Sequence, residues 1–113
     1  MGMELVVLVV VLGLLALWMW SARADIRGEE ARQLVAEGAT LVDVRSAAEF
    51  ASGHVEGARN IPVDVIRARL SEIPKDKPVV LYCQSGMRSA SAARLLKKHG
   101  YRPVYNLGGM RNW

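Results

Sequence analysis

The sequence predicts an α/β domain built on a small, mostly parallel sheet flanked by helices, preceded by one transmembrane helix. Three observations lead there. Residues 5–20 (LVVLVVVLGLLALWMW) form a single uncharged apolar run. Behind it, short runs rich in valine, isoleucine and leucine alternate with segments of helical periodicity, as crossover-linked parallel strands do. The chain's single cysteine, Cys83, lies where one such run gives way to a helical pattern.

A bilayer-spanning helix needs about 20 residues, with a usual range of roughly 17 to 25. Residues 5–20 are slightly short of this, and Met1 to Met3 with Ser21 and Ala22 complete the span. Trp18 and Trp20 sit at one end, where indole rings anchor at the headgroup level. Arg23 and Arg27 follow directly, so the positive-inside rule places the following domain in the cytoplasm. The rival is a cleaved signal peptide, for which Ala22-Arg23-Ala24 supplies a small-x-small site and which would leave a periplasmic domain. Against cleavage, the leading segment carries no lysine or arginine, only Glu4, and the apolar run is long for such a peptide. Residues 1–23 are therefore expected to be an uncleaved single-pass anchor and residues 24–113 the domain. Met1-Gly2 lacks the downstream Ser or Thr that N-myristoylation needs.

Residues 27–38 (RGEEARQLVAEG) predict an amphipathic helix with Ala31, Leu34 and Val35 inward, stopped by Gly38. Thr40 to Val44 is a strand, and Ala47 to Ser52 a short helix. A loop from Gly53 to Ala58 leads to a brief strand around Asn60 and Ile61, ended by Pro62. Val65 to Ile73 predicts a helix, with Ile66, Leu70 and Ile73 spaced for one face. Pro78 opens a buried strand, Val79-Val80-Leu81-Tyr82. From about Arg88, Ala92, Ala93, Leu95 and Leu96 supply the apolar stripe of a helix that ends at Gly100. A last strand lies near Val104-Tyr105-Asn106, followed by Gly108 and Gly109 ahead of a final helical turn.

The composition excludes several classes of function. At 113 residues there is room for one domain; without the apolar run roughly 90 remain, one modest core. The net charge of +4 is spread along alternating acidic and basic residues, so no nucleic-acid footprint is expected. Lys97-Lys98-His99 before Gly100 suits a helix C-terminus, where cations complement the dipole. One cysteine excludes an intramolecular disulfide and a Cys-x-x-Cys pair, and His54 and His99 are too distant in sequence to suggest a zinc site. No phosphate-binding loop or dinucleotide fingerprint is present.

Cys83 is the candidate nucleophile. In a parallel sheet ligands gather at the carboxyl ends of the strands, and both Cys83 and the Asp43–Arg45 stretch fall at such ends. Amides converging at the following helix N-terminus favour a thiolate, Gly86 lets the short loop curl, and Arg88 adds a positive charge nearby. The plainer reading makes Cys83 a small buried hydrophobe and has Ser89 and Ser91 satisfy helix-end amides. The cluster of Cys83, Gln84, Ser85, Gly86, Met87, Arg88 and Ser89 in one strand-to-helix turn favours chemistry. Taken as residues alone, Asp43 caps the next element, and Arg45 and Glu49 form a surface pair. His54 and Gly57 fix a loop.

Three stretches carry a family resemblance. Leu41-Val42-Asp43-Val44-Arg45-Ser46 with Glu49-Phe50 and Gly53 to Pro62 resembles the first signature of rhodanese domains. Val80 to Ser89 resembles their active-site loop, and Asn106-Leu107-Gly108-Gly109-Met110 with Trp113 their closing motif. The resemblance covers about residue 26 onward and implies a rhodanese-like fold and a sulfurtransferase. It implies that Cys83 takes sulfane sulfur from a donor such as thiosulfate or a persulfide. A thiol or cyanide-like acceptor then removes it, with no cofactor. In this reading the loop amides hold the persulfide, Arg88 orients the anionic donor or offsets its charge, and Asp43 and Arg45 support the edge of the site. Related phosphatases and arsenate reductases use a longer Cys-x5-Arg loop; only four residues separate Cys83 from Arg88 here, which favours sulfur. A non-catalytic interaction module is the other alternative. Members usually continue beyond the tryptophan, so either a very short last helix or a Trp113 packed alone on the sheet is expected.

Overall fold

The computed structural model describes residues 2–21 and 23–113. Helix α1 (Met3–Ser21) is apolar on all sides. Its stretch Met3–Trp20 has a mean hydropathy of 2.4, and none of it is buried against the rest of the chain. Eighteen helical residues rise about 27 Å, close to the hydrocarbon thickness of a bilayer. The helix is thus long and apolar enough to cross a membrane. Met1 and Ala22, the first residue of the tripeptide on which the rival cleavage reading rests, lie outside the described residues.

The rest of the chain alternates helices with four strands. Helix α2 (Gly28–Ala36) precedes β1 (Thr40–Asp43), and α3 (Ala47–Ala51) precedes β2 (Arg59–Asn60). A 3₁₀ helix (Ile66–Glu72) leads to β3 (Val79–Cys83), followed by α4 (Met87–Lys98) and β4 (Val104–Gly109). The strand order is β2-β1-β3-β4, and every pairing is parallel. The expected small parallel sheet flanked by helices is what forms, with most boundaries within two residues of the expected ones.

Each face of the sheet carries its own core. On one face Val42, Val44, Val79, Leu81 and Cys83 of the sheet side meet Ala92, Ala93 and Leu96 of α4. The opposite cluster joins Leu41, Val80, Tyr82 and Leu107 to Ala31 of α2. Strand side chains alternate faces, so β3 sends Cys83 toward α4 and Tyr82 away from it.

Two elements differ from expectation. Val65 to Ile73 forms a 3₁₀ segment rather than an α-helix, interrupted at Arg69. The expected face is nonetheless the buried one: Ile66 and Ile73 are core residues and Leu70 packs against them. The Tyr101 hydroxyl lies 2.7 Å from the carbonyl of Leu70 and 2.8 Å from that of Ile73, so the carbonyls of a tightly wound end find a partner. β4 runs on through Gly108 to Gly109, beyond the strand expected near Val104-Tyr105-Asn106. A register shift opposite Leu81 and Tyr82 absorbs one residue, so that Asn106 pairs with Leu81 but Gly108 with Tyr82. Gly108, at φ +88°, takes a backbone shape that suits glycine.

The C-terminus takes the first of the two expected arrangements, a very short last helix. A single 3₁₀ turn (Met110–Asn112) is followed by Trp113, which packs on the cluster beside α2. The Arg32 guanidinium donates to the Trp113 carbonyl.

Candidate active site

Cys83 ends β3, and the chain then turns through Gln84, Ser85 and Gly86 into α4. Gly86 adopts φ +100°, a left-handed turn that an L side chain would strain, and this aims its N–H back at the preceding strand. The Gly86 N–H donates to Cys83 Sγ at 3.0 Å and the Ser89 N–H at 3.4 Å. Ser89 Oγ lies 3.3 Å from the same sulfur. Cys83 and Ser89 are fully buried, Gln84 and Ser85 are exposed, and Met87 and Arg88 are half-buried. The thiol is therefore a core residue, yet it is ringed by polar donors.

Burial pushes the Cys83 thiol up, but the Ser89 hydroxyl and the Ser89, Gly86 and Ser85 amides outweigh it and hold it below the ordinary thiol value. Ser89 reaches two acceptors, since its Oγ also donates to the Gly86 carbonyl at 3.2 Å. With a thiol present, S–H donates to Oγ and the hydroxyl serves Gly86; with a thiolate, the hydroxyl turns to the sulfur. Ser89 thus serves a carbonyl and a thiol rather than a helix-end amide, because as the third residue of α4 its side chain tilts back toward the loop. Ser91 is exposed.

A pH dependence follows. The thiolate fraction, and with it the alkylation rate, should fall as pH drops through a midpoint below the usual value of about 8.5. The same depressed value favours the fold above the unfolded thiol's pKa, a contribution lost as pH falls through the folded one. Ser89→Ala should move the kinetic midpoint upward. A midpoint at or above the free-cysteine value in the wild type would contradict this.

Arg88 does not face the sulfur unengaged. Its Nη1 and Nη2 contact Glu49 Oε1 at 2.6 Å and Oε2 at 3.0 Å, tying the start of α4 to α3. The hydrogen bond to Arg88, with the Ser46 backbone amide, lowers the Glu49 carboxyl to about 2. Glu49 also accepts from the Ser46 N–H while its own N–H donates to Ser46 Oγ, a reciprocal cap on α3. The cap expected at Asp43 is therefore Ser46, and the partner expected for Arg45 is not Glu49.

Arg45 is buried and turns back on Asp43: Nε lies 3.0 Å from both carboxylate oxygens and Nη2 2.7 Å from Oδ2. Arg45 Nη2 also donates to the Gly53 carbonyl at 2.7 Å, and Asn60 Nδ2 donates to the carbonyls of Asp43 and Arg45. The Tyr82 hydroxyl accepts from the Val55 N–H at 3.1 Å, and burial pushes its phenol up to about 12. These contacts brace the Gly53–Ala58 loop against the ends of β1 and β3. His54 stacks on Phe50 with ring centres 3.6 Å apart and its Nδ1 lies 2.9 Å from the Phe50 carbonyl, a structural role.

Asn106 was not anticipated as a site residue. Its Nδ2 lies 3.4 Å from the Gly86 carbonyl and 3.4 Å from the Arg23 carbonyl, joining the loop to the segment that leaves α1. Its backbone pairs with Asp25 on both sides, with Asp25 N donating to its carbonyl at 2.7 Å and its N–H to Asp25 Oδ2 at 2.9 Å. The only sequence signal was a buried polar residue within an apolar strand.

The family model described as the rhodanese-like domain matches residues 28–113. The chain belongs to that family. A Bacillus subtilis relative, the uncharacterized protein YqhL, is 51% identical over 76 residues, 66% of this chain and 60% of its own length. The chain thus spans less than two thirds of that relative. A sulfurtransferase from Allochromatium vinosum is 47% identical over 78 residues, covering 68% of this chain and 73% of that protein. The structure of the human single-domain sulfurtransferase TSTD1 superposes with a TM-score of 0.64 at 35% identity, over 75% of this chain and 89% of that one. The sheet described above is thus a rhodanese-like fold, with sulfurtransferases among its relatives.

Proposed function

We propose that this rhodanese-like domain is a sulfurtransferase that carries sulfane sulfur on Cys83. The observation that carries the reading is the convergence of the Gly86 and Ser89 amides and the Ser89 hydroxyl on one buried sulfur. Such a cage stabilises a thiolate before transfer and an anionic persulfide after it. The thiolate attacks the outer sulfur of thiosulfate; the new S–S bond forms as the S–sulfonate bond breaks, and sulfite leaves with the electron pair. A thiol or cyanide then removes the outer sulfur and regenerates the thiolate. The short loop, with Gln84, Ser85 and Met87 adding no charge, suits a sulfur atom better than a tetrahedral oxyanion.

Residues 1–23 act as a single-pass anchor and residues 24–113 as the domain, with the domain on the cytoplasmic side. The pairing of Asp25 with Asn106 supports a boundary near residue 23. Incubation of the protein with thiosulfate followed by intact mass measurement tests the chemistry. A gain of one sulfur atom, removed by cyanide, is expected; an unchanged mass overturns the reading.

A further inference from the structure

The loop arginine is engaged by Glu49, so the negative charge of a sulfur donor needs another partner. A pocket of about 300 Å³ opens beside the loop. Its walls include Ser85 of the loop, Met87 at the start of α4, Trp18 and Met19 of α1, and the guanidinium-bearing residues Arg23 and Arg111. Ser85 and Met87 flank Gly86, whose amide holds the thiol, and Gly109 on the pocket wall is the sheet partner of Cys83. The pocket therefore adjoins the loop that holds the buried Cys83 sulfur. No carboxylate lines it, and among the described residues neither Arg23 nor Arg111 pairs with one. Arg23 lies outside the family-matched residues 28–113. It is held in place because its carbonyl accepts from Asn106 Nδ2, which also reaches Gly86, while Ala24 packs on Gly108.

We propose that this pocket docks the anionic head of a small sulfur oxyanion donor, with Arg23 and Arg111 as its cationic partners, so that the exit of α1 completes the active site. The proposal rests on the sulfurtransferase reading and adds to it the residues that select the donor. The sulfonate of thiosulfate sits between two guanidinium groups that present forked donors to its oxygens. Its outer sulfur is then directed over Ser85 toward Cys83, and the departing sulfite inherits the same partners.

The test uses the full chain in phosphatidylcholine nanodiscs, with Arg23→Gln, Arg111→Gln and the double variant. For exposed charge pairs the thiosulfate KM should rise about fivefold in each single variant and more than tenfold in the double, with kcat within about twofold. The preference for thiosulfate over an uncharged alkyl persulfide should fall by about the same factor. Arg102→Gln, an exposed cation on another face, should change neither constant. A second readout is independent of turnover: in Cys83→Ser protein, thiosulfate should perturb tryptophan fluorescence through Trp18, and the double variant should abolish the change. If the persulfide forms while KM and fluorescence ignore both arginines, the proposal falls and the sulfurtransferase reading stands. If no persulfide forms but arginine-dependent anion binding persists, the docking site stands and the reading of its chemistry falls. If phosphatidylglycerol binds through these arginines and thiosulfate does not, the site belongs to a lipid headgroup and the donor assignment is overturned.

Discussion

Cys83→Ser is expected to lower thiosulfate-to-cyanide sulfur transfer on the order of a thousandfold or more, to the uncatalysed background, without unfolding the domain. The replacement is nearly isosteric at a fully buried position, and a hydroxyl can occupy the same three hydrogen bonds as the sulfur. It cannot ionise near neutral pH, so the cage has no nucleophile to hold. The measurement pairs the cyanide assay with a thermal melt of both proteins. Retention of a tenth of the activity, or a persulfide mass on the serine variant, would remove Cys83 from the reaction. A Cys83→Ala chain that fully complements a deletion strain would instead point to an interaction module.

Asp43→Ala should destabilise the domain by about 3–5 kcal/mol, because it strands the Arg45 charge in the core. Both side chains are almost wholly buried, at 0% and 3% exposure. Arg45 would keep its Gly53 carbonyl contact but lose three side-chain bonds to the carboxylate. For a domain of this size the melting temperature should fall by about 12 °C or more. Removing both charges in Asp43→Ala/Arg45→Leu should recover part of the loss, since an apolar pair of matching volume carries no desolvation cost. A single variant within about 1 kcal/mol of wild type by denaturant titration would show that the pair contributes little to the fold.

The main elements were legible where periodicity was strong. α2, α4, β1 and β3 follow from apolar spacing and from Gly38, Pro78 and Gly100 at their margins. Cys83, Gly86 and Ser89 were legible as a group because strand, loop and helix N-terminus follow one another within a few residues. What sequence did not disclose were partnerships between distant segments. Arg88 with Glu49 spans 39 positions and Asn106 with Arg23 spans 83, and no local pattern selects either over its rivals. Arg45 looked like a surface residue because arginine usually is one; only the return of its side chain onto Asp43 explains its burial. The 3₁₀ winding of Ile66–Glu72 was hidden because the same three apolar residues can line one side of either helix type.

The alternation along β3 gives the proposed nucleophile an odd–even address. Cys83 shares its side with Leu81 and Val79, and Tyr82 shares the other with Val80. Deleting one residue from this stretch would exchange the two sets and send the sulfur into the layer beneath α2, far from the Gly86 and Ser89 amides. Natural length variation in this strand should therefore come in pairs, because parity, more than identity at any one apolar position, keeps the thiol on the side of those amides.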